Sequence, residues 1–113
     1  MCIRDSTTYT FVIRHESNTA TTAPGVTPSK QIMAKHPLTL LIVGHEHTYS
    51  RPSQNEVLFG NGGAPLVNAS TYGFGLITQR QDKSIQVDAI DVNTGSPDLQ
   101  FRFAVKPDGS PAP

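Results

Sequence analysis

Leu38-Thr39-Leu40-Leu41-Ile42-Val43-Gly44-His45-Glu46-His47 is the stretch that decides how this chain is read. Its first six residues are apolar apart from Thr39, the pattern of a strand buried on both faces. The run is far shorter than the roughly 20 residues a membrane helix needs. Gly44 closes the strand, and two imidazoles separated by one residue follow it.

Working outward, Tyr9-Thr10-Phe11-Val12-Ile13-Arg14 is aromatic and β-branched without a breaker, which predicts a strand ending at His15. A loop from Ser17 to Val26 leads to Thr27-Pro28, an N-cap followed by proline at the first helical position, and Ser29 to Lys35 can form about two turns before Pro37. A helix between two strands implies a parallel, right-handed crossover, and ligands of such sheets bind beyond the carboxyl ends of the strands. His15 and His45 therefore project from one sheet edge.

Beyond His47 the texture becomes all-β. Glu56-Val57-Leu58-Phe59 reads as a short strand stopped by Gly60-Asn61-Gly62-Gly63-Ala64-Pro65. Tyr72 to Gln79 and Ile85 to Ala89 read as a hairpin, and Leu99 to Val105 alternates as a half-buried strand. The Pro/Gly/Ser tail 107–113 reads as disordered. The predicted fold class is α/β, a strand-helix-strand unit followed by antiparallel strands. Phe11, Ile13, Leu40, Ile42, Leu58 and Phe101 are expected in a core left incomplete, with exposed apolar edges.

At 113 residues the chain has room for one domain. Nine Lys+Arg balance nine Asp+Glu, so there is no basic field for a nucleic-acid backbone or an anionic membrane. One cysteine cannot close an internal disulfide, and all four histidines fall between positions 15 and 47. Met1-Cys2-Ile3-Arg4-Asp5-Ser6 resembles the in-frame translation of a transposase mosaic-end sequencing adapter. Residues 1–6 are accordingly set aside, the natural sequence is expected to enter near Thr7, and residues 7–106 are expected to be one part of a longer domain.

In an extended loop His45 and His47 would share a side with β-carbons about 7 Å apart, suited to one histidine on each of two ions about 3.5–4 Å apart. Imidazole ligands suggest Zn, Fe or Mn. Glu46, between them, would point away. His36 ends the short helix and reads as a solvated cap. Asn68-Ala69-Ser70 fits a glycosylation acceptor, a pattern too short to carry weight.

His15 at a strand end, Gly44-His45-Glu46-His47-Thr48-Tyr49-Ser50-Arg51 and Gly60-Asn61-Gly62-Gly63-Ala64-Pro65 together resemble the C-terminal part of a calcineurin-like metallophosphoesterase, of the purple-acid-phosphatase-like branch. The resemblance implies an αββα sandwich and hydrolysis of phosphomonoesters or phosphodiesters by two divalent or trivalent ions of Fe, Mn or Zn. It places His15 and His45 on one ion and His47 on the other, with Tyr49, Arg51 and Asn61 as substrate-binding candidates. It favours a secreted or periplasmic setting. Oligomeric state leaves no trace.

The chain departs from that family's pattern by lacking the early Asp-x-His, the Gly-Asp and the Gly-Asn-His. No aspartate lies between Thr7 and Gln81, and the carboxylates there are Glu16, Glu46 and Glu56. Serine follows Glu16 where the family often has proline. The chain alone is thus expected to be inactive, and no catalytic base can be named. The competing reading is a non-catalytic β-rich binding module with an incidental mononuclear metal site.

Overall fold

The computed structural model describes residues 8–67 and 71–113, so the adapter-like start and the Asn68-Ala69-Ser70 acceptor lie outside the described residues. The elements are β1 (Phe11–Ile13), α1 (Val26–Met33), β2 (Leu40–Val43), β3 (Tyr49–Ser53), β4 (Glu56–Phe59), β5 (Gly73–Gln79), β6 (Ile85–Asp91) and β7 (Phe103–Val105). β1 and β2 pair in parallel, Phe11 against Leu40 through Ile13 against Ile42, with α1 in the crossover. β4 joins β2 in parallel and β3 runs antiparallel outside β4, giving the order β1-β2-β4-β3. β5, β6 and β7 form a second, antiparallel sheet in that order. The chain is a small mixed α/β fold with two sheets and, among the described residues, one short helix.

Strand alternation assigns the two faces of the first sheet. Leu40, Ile42, Val57 and Phe59 meet Ile85, Val87, Phe103 and Val105 of the second sheet. Leu41, Val43 and Leu58 point the other way, toward Val12 and Met33 of α1. β2 is therefore covered on both faces, as its unbroken apolar run requires. Each leucine buried there contributes about 1.5–3 kcal/mol relative to exposure. The second sheet stops short of β1, so Phe11 and Ile13, expected in the core, stay 43% and 79% exposed. At Gly75 the sheets come so close that a β-carbon would run into the Phe59 ring.

Four local expectations change. The helix begins at Val26 behind Gly25 rather than at Pro28, which falls within the first turn, where a missing N–H costs no hydrogen bond. β3 was not predicted: its Pro52 is tolerated because the strand lies at a sheet edge. The final strand starts only at Phe103, because the Asp98 carboxylate accepts the N–H groups of Gln100 and Phe101 and its carbonyl accepts those of Phe101 and Arg102. That local competition turns the chain out of the ladder and leaves Leu99 68% exposed. The tail, read as disordered, folds back instead: Ala112 N–H donates to Ala104 O and Pro111 bridges Val105.

Candidate metal centre

The β1–β2 ladder continues past both strands. Arg14 N–H donates to Ile42 O at 3.0 Å and Gly44 N–H to His15 O at 2.9 Å, which sets His15 beside the Gly44-His45 turn. His45 then adopts a left-handed backbone, φ 74°, uncommon for a residue with a side chain and frequent at functional sites. The result brings His15 Nε2 to 3.0 Å from His45 Nδ1, with the rings edge-to-face. Glu16 Oε1 stands 3.4 Å from the same His45 nitrogen.

Ligand atoms of His15, Glu16 and His45 all lie within 4.8 Å of one another. Bonds of about 2.0–2.1 Å to a tetrahedral ion imply donor separations of roughly 3.3 Å. Two imidazoles and a carboxylate at this spacing fit one borderline transition-metal ion. Glu16 and His45 border a cleft of about 300 Å³ that Ser17 and Glu46 also line.

The loop carrying His47 is not extended. Glu46 N–H donates to Gly44 O and Thr48 N–H to Glu46 O, two successive three-residue turns. The extended-loop premise therefore does not hold, and Glu46 borders the cleft rather than turning away from it. His47 Nδ1 lies 2.8 Å from Pro65 O. A carbonyl only accepts, so Nδ1 is the donor, and in the neutral ring this leaves Nε2 as the acceptor, the tautomer of a metal-ligating histidine. Val67 N–H donates to His47 O and Gly60 N–H to Thr48 O. The glycine-rich segment is thereby the brace of the histidine loop.

The turn at His15 and Glu16 is fixed from below. Glu56 of β4, only 2% exposed, accepts Ser17 Oγ at 2.6 Å and Asn18 N–H at 3.1 Å. The Arg14 guanidinium donates to Glu16 O, Asn18 Oδ1 and Ser29 Oγ, tying the turn to α1. Glu16 itself escaped the sequence reading as a ligand. The signal was its place next to His15, just beyond a strand whose end meets that of β2.

The remaining candidates stand apart from this cleft. Tyr49 Oη donates to Asp98 Oδ2 at 2.8 Å, and that bond, burial and the charges of Asp98 and Asp91 raise its pKa. Arg51 lies 3.9 Å over the Phe103 ring and donates through Nε and Nη2 to Gln54 O. Asn61 is 3% exposed and donates from Nδ2 to Thr71 O, bridging toward β5. No helix among the described residues is long and apolar enough to cross a membrane. Compared with known proteins, the chain matches no family model, no curated protein and no solved structure.

Proposed function

We propose that this chain carries the histidine side of a hydrolytic centre for phosphate esters, with one transition-metal ion held by His15, His45 and Glu16. The observation that supports it is the 3.0 Å approach of two imidazoles from separate parallel strands, with a carboxylate 3.4 Å away. The reaction class and the αββα sandwich come from the resemblance of Gly44-His45-Glu46-His47 to metallophosphoesterases. A bound divalent ion would supply Lewis acidity toward a phosphoryl oxygen and a more acidic bound water.

In this reading His15 and His45 present neutral nitrogens, Glu16 offsets part of the ion's charge, and Glu56 keeps their turn in place. The resemblance would give Nε2 of His47 to a second ion, and the Nδ1 contact with Pro65 O is compatible with that. The three-residue group His15, Glu16 and His45 supports one ion, and the second ion rests on the resemblance alone. With so few carboxylates the chain by itself is not expected to turn over. A non-catalytic module with a mononuclear site is the second reading, favoured by this single three-ligand group.

Cobalt titration followed by orthophosphate or vanadate tests the proposal. We expect one equivalent of metal, lost in His45→Ala and weakened in Glu16→Gln, and a cobalt spectrum that changes on adding the oxyanion. Metal binding without any oxyanion response leaves the binding-module reading in place, and failure to bind metal removes both. Robust hydrolysis of p-nitrophenyl phosphate lost in His45→Ala would overturn the expected inactivity.

A further inference from the structure

Away from the histidines, three guanidinium groups border one cleft. Arg51 of β3, Arg80 after β5 and Arg102 before β7 line a cleft of about 350 Å³ together with Phe103 and the returning tail 111–113. No acidic residue is among those lining it. The volume sits at the lower end of the roughly 300–1,000 Å³ typical of small-molecule sites, so a small occupant is indicated.

The three cations are compensated unequally. Arg102 Nε pairs with Asp88, whose carboxylate is buried in turn, and Gln86 Nε2 donates to the same carboxylate. Arg80 Nε donates to Ser84 Oγ and Nη2 to an oxygen of Pro113, the last residue of this sequence and so part of its terminal carboxyl, with Asp82 at 4.0 Å, which makes Arg80 a compensated cation. Arg51 has no carboxylate within that range among the described residues: its donors meet a single carbonyl, Gln54 O, and its plane lies on Phe103. Burial lowers its pKa, the mark of a cation drawn partly out of water without a counter-charge.

Each guanidinium offers five N–H donors in a planar fork. In the contacts above, Nη1 of Arg51, Nη1 of Arg80 and both terminal nitrogens of Arg102 remain without a partner among the described residues. Free donors on three guanidiniums that line one cleft suit a tetrahedral oxyanion better than a planar carboxylate, which one fork satisfies. We infer that the Arg51–Arg80–Arg102 cleft is a binding site for a phosphate-type oxyanion, separate from the His15–Glu16–His45 cluster. Its occupant is a free phosphate or the phosphate group of a small molecule. The site does not depend on the metal-centre reading, since the two clefts share no residue.

The test is a titration of the metal-free full chain with inorganic phosphate at low ionic strength, followed through the arginine Nε–Hε resonances. We expect saturable shifts at Arg51 and Arg102 in the millimolar range, displaced by sulfate and not reproduced by chloride at matched ionic strength. A glycerol phosphate arm distinguishes the sources: equal affinity favours the phosphate group alone, and tighter binding favours a phosphorylated small molecule. Arg51→Met keeps apolar cover over Phe103 and should weaken binding about tenfold, the loss of one charge-assisted contact. If that variant does not fold, Arg80→Gln is read in the same way. Shifts that chloride reproduces, no saturation with phosphate, or unchanged affinity in the folded variants would overturn the inference.

Discussion

Gly60 is the position where a single methyl group reports on how the metal loop is built. A β-carbon there would sit 2.8 Å from the Glu46 carbonyl carbon and closer still to its oxygen, with His47 Cα at 3.6 Å. Carbon atoms in contact rest about 3.5–4.0 Å apart, so the loop must retreat by on the order of 1 Å. The obstacle is backbone, which cannot rotate aside as a side chain would. Overpacking of this kind costs about 2–3 kcal/mol, which for a domain of this size lowers Tm by about 10–15 °C.

The same shift reaches the ligands. Metal bonds tolerate about 0.2 Å, and disturbing the groups that orient ligands weakens metal affinity about 10–100-fold. Gly60→Ala should therefore lose both Tm, by thermal melting, and affinity, by competition with a chromophoric chelator. Gly62→Ala is the internal control, because nothing lies within 4 Å of its β-carbon position and its φ is not left-handed. It should stay within about 0.5 kcal/mol of the parent. Equal melting temperatures for the two variants would refute the close approach of loop and β4. A destabilised Gly60→Ala with unchanged metal affinity would refute the link between the brace and the ligands.

Ser17→Ala leaves a buried Glu56 oxygen short of a donor and is expected to cost about 1–3 kcal/mol in a denaturant titration, with looser metal binding; unchanged midpoints would show that the Glu56 clamp carries nothing. Tyr49 has a raised pKa in the folded chain, first through its hydrogen bond to Asp98. Its contribution to stability is full below the ordinary tyrosine pKa and is lost as pH rises through the folded value. Ultraviolet titration of parent against Tyr49→Phe isolates this group, and Asp98→Asn should bring its ionisation to lower pH. Phe11, Ile13, Phe74 and Leu76 are exposed apolar residues near sheet edges, so concentration-dependent self-association is expected in sedimentation. A sharp monomeric melt independent of concentration would count against it.

Residue pattern alone determined the strand-helix-strand unit, the parallel pairing of β1 and β2, the β5–β6 hairpin and the presence of His15 and His45 at one edge. These follow from apolar periodicity and from the handedness and connection rules of parallel strands, which act on short stretches of chain. Tertiary structure alone decided which side chains form the candidate ligand group. Gly44 is tied to His15, a contact between residues far apart in sequence, His45 next to it takes a left-handed backbone, Glu16 lies against His45, and His47 meets Pro65 O. Periodicity carries no information about such a turn. β3, the late start of β7 and the docked tail escaped for the same reason: each is set by a side-chain or backbone partner contributed by another part of the fold, or, at Asp98, by a carboxylate that competes locally with the ladder.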